Sequence, residues 1–579
     1  MAGEPTAIEG EKSPAADPWG TTTTTDATSA APSSEPIDPN QNASTSPPAD
    51  DQPAPRKRHP PQFWIVIISL SLLAFISALD TMIVTTALPT ITEELGGATE
   101  YVWIGNSFVF ASSVLQPLVG QLADILGRKM PTVVSIVLFI VGSGIAGGAN
   151  NTAAFIAGRA VQGVAGGIYV LIDIVCCDLV PLRDRGKYLG IVNGWAGVAA
   201  ALGPVLGGVL AQANWRWIFW MNIPICVLPL APIALYLPAK KGHVLSGLRH
   251  VDYLGTLIFI PAIVAVLFGL VTGGVLYPWS SWRVILSLVL GFLGWIAFHI
   301  QQNFAKNPSV PTRLFSNRTS AIGFVLTFLG SVALQALGYF LPVYFQAVLT
   351  TSVRQSGINF LPVAIGCLFF AAIAGIALSA FGFYKPIHGI AFGLSILGYG
   401  LFTMIDENTK TVAWAFFELI AAGGLGMTIS AVLPSILAGL SQADVASATA
   451  TFSFIKTFGF IWGVTVPSVI FNGAVNDRVD HVSSPALRDQ LRDGRAYAFA
   501  SQAQRVSRTL DSNLWGEVVH VYVESLKPIW WFGLGISVFA FLLVFLEKEL
   551  PLSKELHTEY GLEENKQPAS TEATAKAQV

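Results

Sequence analysis

Gly120-Gln121-Leu122-Ala123-Asp124-Ile125-Leu126-Gly127-Arg128-Lys129 lies between two long apolar runs, and its reading decides the fold. A membrane helix ends there with an acid, and the next begins after a basic turn only a few residues long. The two glycines let neighbouring backbones approach closely, Asp124 falls at the membrane face, and Arg128 with Lys129 marks the cytoplasmic side. A loop that tight, with that order of charges, reads as a moving joint.

The whole chain agrees with a bilayer as its solvent. Its 579 residues are 52% hydrophobic and only 12% charged, against roughly 25% charged in soluble domains. This excludes a soluble enzyme of such size. The net charge of -3 comes with basic residues scattered over short loops, so no nucleic-acid partner is expected. Cys176, Cys177, Cys226 and Cys367 all fall in apolar runs without a CxxC or metal-ligand spacing, and the histidines are dispersed. Neither a disulfide, a metal nor a cofactor is expected. A Gly-x4-Gly-Lys-Ser/Thr phosphate loop is absent, as is any nucleophile, base and orienter grouping, so neither an ATP-driven pump nor an enzyme is indicated.

Residues 1–60 are rich in Thr, Ser, Pro and Ala, with no apolar run to offset ordering entropy, and read as a disordered cytoplasmic tail. Apolar segments follow near 63–89, 101–123, 131–149, 153–179, 187–212 and 216–237, giving a six-helix bundle over 61–240. Two more, near 253–273 and 282–302, form an inserted pair over 241–305. Six others, near 320–349, 357–380, 384–404, 412–439, 447–474 and 528–547, build a second bundle over 306–550. A polar external loop spans about 475–527, and 551–579 forms a cytoplasmic tail. The total is fourteen helices. Arg128/Lys129, Arg183/Arg185/Lys187, Lys240/Lys241/Arg249 and Lys306/Arg313/Arg318 occupy alternate loops on the same side as Arg56–Arg58, which places both termini in the cytoplasm.

The chain also repeats itself. Gly375 to Gly382 reproduces the spacing of Gly120 to Gly127, with Ser379 where the first copy has Asp124 and Lys385 following in place of the Arg-Lys turn. Repeated halves are expected of transporters that rock two bundles around a central site.

Taken in order, these residues resemble the major facilitator superfamily, and more narrowly its fourteen-helix drug/proton antiporter family in a fungal form. The motifs are Leu79-Asp80-Thr81 through Leu88-Pro89, Gly120 to Lys129, Gly158-Arg159-Ala-Val-Gln162-Gly163, Gly203-Pro204-Val-Leu-Gly207-Gly208, Trp215-Arg216-Trp217 through Asn222-Ile-Pro224, and Asp252-Tyr-Leu-Gly255. In the helix 5 motif Ala199 stands where the family has a further glycine. The resemblance implies an all-α membrane protein of major facilitator fold, two six-helix bundles plus two inserted helices. It also implies antiport as the function of Gly203, Pro204, Gly207 and Gly208.

Individual charges then take roles. Asp80 would cost roughly 2.5–3.5 kcal/mol at a bilayer centre unless paired, hydrated or protonated. With Ser77, Thr81 and Thr85 it forms one polar stripe, expected to face the central cavity. Two readings stand for it, a proton site and a structural hydrogen bond to a neighbouring helix. Arg159 lies at a similar depth, so the two are expected to pair, and the resemblance assigns the helix 4 arginine a part in proton coupling. Gly120, Asp124, Gly127 and Arg128 are read as a cytoplasmic gate. Asp173, Glu418 and Lys456 are cavity candidates, and depth argues against a Glu418–Lys456 pair. The aromatic block Trp215, Trp217, Phe219 and Trp220 is expected to anchor the outer interface.

The functional expectation is a monomeric, proton-coupled transporter that exports small organic compounds (drugs, toxins or secondary metabolites) across the plasma membrane by alternating access. Its partners are a small-molecule substrate, protons and the lipid bilayer. The alternatives are vacuolar transport of basic amino acids, with cavity acids binding the cationic side chain, and a non-transporting membrane sensor.

Overall fold

The computed structural model describes residues 60–95, 101–239, 247–274, 277–492 and 494–553. The expected N-terminal tail up to residue 59, with Arg56–Arg58, lies outside the described residues, as do Lys240, Lys241 and the C-terminal tail from residue 554. In lipid every backbone polar group must be satisfied internally, and long apolar segments answer that demand as helices.

The first bundle is α1 (Pro61–Leu95), α2 (Tyr101–Leu126), α3 (Lys129–Gly147), α4 (Thr152–Leu179), α5 (Leu182–Asn214) and α6 (Trp217–Tyr236). The inserted pair is α7 (Tyr253–Thr272) and α8 (Trp282–Gln302). The second bundle is α9 (Arg318–Val348), α10 (Arg354–Phe381), α11 (Lys385–Phe402), α12 (Thr411–Leu437), α13 (Val445–Arg478) and α14 (Ser512–Val544). Among the described residues, 12 are apolar enough to cross a membrane by length and composition. The other two of the fourteen are α5, several of whose side chains lie outside the described placements, and α11, which opens on Lys385 and includes His388.

Both copies of the repeat make the same turn. Gly127 and Gly382 end α2 and α10 with φ of 81° and 78°, a left-handed conformation that side chains resist and glycine adopts freely. That single residue reverses the chain within a few positions.

The inserted pair is tied to α2 by the residue beside Gly120. Gln121 accepts from the Asp252 backbone N–H at 3.1 Å and donates to the Asn307 carbonyl at 2.8 Å, so one side chain holds both outer ends of the α7–α8 hairpin. Asp252 caps α7 by accepting from the Gly255 N–H at 2.8 Å and receives Gln302 at 2.6 Å. Phe259 and Trp295 pack edge-on against Phe454 and Phe458 of α13.

Two expectations are corrected. The loop read as external is shorter than 475–527, because α13 runs to Arg478 and α14 begins at Ser512, with Pro528 inside it. The apolar run near 528–547 had set the expected helix, but the polar residues before it continue the helix beyond that run. Between them Pro485–Leu491, Ala496–Ala500 and Ala503–Ser507 are short helices whose Leu487, Leu491 and Phe499 are buried. Tyr497 stacks on Tyr339 with ring centres 4.7 Å apart, tying this cap to α9. The aromatic block also divides. Trp217 is exposed, whereas Trp215 and Phe219 are buried and pack edge-on against Phe155.

Candidate functional site

The first half encloses a polar network. Asp80 on α1 is fully buried, as is Arg159 on α4, and the Arg159 Nη1 donates to Asp80 Oδ2. Arg159 Nη1 also donates to Gln162 Oε1 at 2.8 Å. The other carboxylate oxygen, Oδ1, accepts from Asn222 Nδ2 on α6 at 2.7 Å and from Gln162 Nε2 at 3.3 Å. Ser143 of α3 closes the set, accepting from Gln162 Nε2 at 2.7 Å. The guanidinium lies 4.7 Å from the Phe108 ring centre on α2 and 5.6 Å from that of Phe219.

The pairing of Asp80 with Arg159 is thus present, but the cavity-facing stripe is not. Asp80 points into its own bundle, among α3, α4 and α6, and all its partners belong to the first half. The reason is chemical: an enclosed carboxylate needs donors, and those helices carry an arginine and two amides. The side chain of Thr85 lies outside the described placements. Gln162 and Asn222 stood inside quoted motifs without a role. Their signal in sequence was an amide at intramembrane depth, which is costly to bury without a partner.

Gly163 of the helix 4 motif and Gly166 just beyond it bring α2 and α4 into close contact beside this network. A Cβ on Gly163 would lie 2.6 Å from the Phe108 carbonyl oxygen, and one on Gly166 would lie 2.3 Å from the Ser112 Cβ. In the helix 5 motif, a Cβ on Gly203 would lie 2.5 Å from the Met82 Cβ on α1. Gly207 is buried, and the side-chain surroundings of Pro204 and Gly208 lie outside the described placements. Ala199, in place of a glycine, is fully buried.

The two halves meet, at the ends marked by the Gly127 and Gly382 turns, in two related contacts. In the first, α2 lies on α13: a Cβ on Gly120 would fall 2.2 Å from the Ala450 Cβ, Asp124 Oδ2 accepts from Ser447 Oγ at 3.1 Å, and Gln116 Nε2 donates to Thr457 at 3.1 Å. Arg128 holds Asp124 in place, with Nη1 3.0 Å from its Oδ1, Nε 2.6 Å from Asp178 Oδ2, and Nη1 donating to the Ala123 carbonyl at 2.5 Å. Arg128 is therefore a buried structural fork, not a lone interfacial charge.

In the second contact, α5 lies on α10. A Cβ on Gly375 would fall 2.6 Å from the Gly186 carbonyl oxygen. Ser379 Oγ donates to Asp184 Oδ1, and Arg183 donates through Nε to the Ser379 carbonyl at 2.6 Å and through Nη2 to that of Ala380. Each contact thus joins a glycine-permitted approach to one carboxylate of the first half and one serine of the second. Ser379 replaces Asp124 in the repeat because its acid partner is supplied by Asp184. Arg183 had been read only as a topology signal.

The cavity candidates separate. Lys456 lines a cavity on the second half with Thr327, Ser331, Thr428, Phe452 and Phe460. Asp173 is buried on α4, accepts from Asn193 Nδ2 at 3.1 Å, and interacts electrostatically with Lys456. Glu418 is fully buried on α12 and is not among the cavity-lining residues. The Glu418–Lys456 pair that depth disfavoured does not form among the described residues.

Comparison with known proteins agrees with this architecture. Residues 70–464 match the model of the Major Facilitator Superfamily. The chain is 41% identical over 533 residues to "MFS-type transporter gkaD" of Penicillium citrinum, covering 91% of each. It is 41% identical over 544 residues to "MFS-type efflux pump LUC4" of a Fusarium species, covering 92% of this chain and 96% of that one. Among solved structures, that of "the human organic anion transporter MFSD10 (TETRAN)" superposes with a TM-score of 0.54 over 84% of this chain and 100% of that one, at 16% identity, a likeness of fold alone. A fourteen-helix chain whose halves meet through a repeated glycine motif, and whose sequence matches that model and those relatives, belongs to the Major Facilitator Superfamily.

Proposed function

We propose that this protein is a proton-coupled exporter of small amphipathic organic compounds from the cytosol, working by alternating access as a monomer in the plasma membrane and catalysing no covalent step. The observation that carries the reading is the buried Asp80, held by Arg159, Asn222 and Gln162 on helices packed against α2. At that depth a carboxylate is costly unless it keeps its donors, so a change in the Asp80–Arg159 contact is the step to which a proton can be coupled. The helix that leans Phe108 on Arg159 also carries Gln116, Gly120 and Asp124 to the second half. Motion of α2 therefore couples proton occupancy to closure of the cytoplasmic gate, the two-state element such a transporter needs. The name of the Fusarium relative, an efflux pump, supports the outward direction.

Vacuolar transport of basic amino acids fits the site less well. It requires acids facing the cavity, whereas Glu418 is enclosed and Asp173 already has Asn193 and the field of Lys456. Imaging of a tagged chain at the cell surface or the vacuole checks the location.

Inside-out vesicles with an imposed pH gradient test the mechanism on a panel of neutral and charged amphipathic fluorophores. The wild type is expected to accumulate some of them only while the gradient persists, and Asp80→Asn, at normal abundance, to lose that dependence. Full gradient-driven transport by Asp80→Asn would remove the carboxyl from the mechanism.

A further inference from the structure

Lys456 is the one charged residue lining the cavity described above. It stands roughly 16 Å along α13 from Val445, close to the middle of the bilayer. Among the described residues no ion pair or hydrogen bond holds its ammonium, and the charge that reaches it is that of Asp173, on the opposite half. Around it the cavity alternates two surfaces, the rings of Phe452 and Phe460 and the hydroxyls of Thr327, Ser331 and Thr428. Thr327 and Ser331 donate to carbonyls one turn back, at 2.8 and 2.7 Å, and so turn their oxygens' remaining lone pairs to the cavity.

A half-buried ammonium at midplane is costly to maintain, and membrane proteins keep one where it meets a ligand or an ion. The intramembrane arginine is not available for this, since it is enclosed with Asp80. The open space here is about 40 Å³, against roughly 300–1,000 Å³ for a small-molecule pocket, so an apolar body enters as the halves part, and the polar groups then fix its orientation.

Within the export reading, we propose that the cavity binds amphipathic organic acids. Lys456 meets the carboxylate or enolate, the phenylalanines cover the apolar body, and Asp173 is the resident counter-ion that the ligand displaces. The acid then screens the attraction between Asp173 and Lys456 across the halves, which a neutral cargo leaves intact.

The test uses the full-length protein in lipid nanodiscs and two probes that differ in charge alone, dansyl-phenylalanine and dansyl-phenylalaninamide, with empty discs subtracted. Wild type is expected to bind the acid more tightly. Lys456→Gln is expected to weaken the acid on the order of tenfold or more, as loss of a charge-assisted bond does, and to leave the amide within about twofold. Lys456→Arg should keep the preference, and Asp173→Asn should keep or strengthen it by removing the competitor. Equal binding of the two probes by wild type, or equal weakening of both by Lys456→Gln, overturns the proposal. Gradient-driven movement of the amide by the wild type in vesicles reads the export function separately: it persists if only the acid site is wrong, and no fluorophore moves if the export reading itself is wrong.

Discussion

Replacing Gly120 by alanine adds one methyl group at the place where the halves touch. That carbon would lie 2.2 Å from the Ala450 Cβ, and the next two nearest heavy atoms, the Ala446 carbonyl oxygen and the Ala450 Cα, also belong to α13. Ordinary carbon contacts need roughly 3.5–4 Å, so α2 and α13 must part by on the order of 1 Å. The Asp124–Ser447 and Gln116–Thr457 bonds, both at 3.1 Å, have no slack for that. Overpacking costs about 1–3 kcal/mol, and because the clash is confined to the closed contact between α2 and α13, the two-state equilibrium shifts toward the opened face by roughly 5- to 150-fold. The better helix propensity of alanine acts equally in both states and cancels. Spin labels at the exposed Met130 and Gln442, read by pulsed electron resonance, should show a longer cytoplasmic distance in Gly120→Ala. Adding Ala450→Gly should restore the original distance, since it removes the colliding atom. An unchanged distance in the folded single variant, or no rescue in the double, refutes the assignment of Gly120 to a gate between halves.

Three further outcomes follow from the same geometry. Arg159→Gln should destabilise the purified protein by about 3–5 kcal/mol, the range for stranding one member of a buried pair, while the double variant with Asp80→Asn should recover much of the loss in a thermal melt. Ser447→Ala and Ser379→Ala should each weaken one cytoplasmic contact by about 1.5–3 kcal/mol, as bonds to charged groups do, and the double variant should approach the sum because the contacts lie on different helix pairs; cysteine accessibility at the cytoplasmic ends checks this. Arg128→Lys should impair gating almost as much as Arg128→Ala, because an ammonium cannot span Asp124, Asp178 and the Ala123 carbonyl as the guanidinium fork does, and transport rate at matched abundance measures it.

What the chain determined by itself was whatever depends on local composition and period. Length of apolar runs set the helices, glycine at 127 and 382 set the turns, and the spacing of the repeat announced two related halves. Even the Asp80–Arg159 pair was legible, because two opposite charges at similar depth in adjacent helices have few other ways to offset burial. The direction in which Asp80 faces was not legible. A polar stripe on α1 has no sign telling cavity from bundle interior, and only the positions of Ser143, Gln162 and Asn222 on three other helices decide it. The start of α14 was missed for a related reason, since residues 512–527 are helical by packing against the external cap and not by hydropathy. Pairings between the halves belonged wholly to the tertiary structure. Asp124 meets Ser447 and Asp184 meets Ser379 across hundreds of residues of chain, and a hydrogen bond between surfaces that part and rejoin leaves no periodic trace in sequence, because each side needs only one residue at the point of contact.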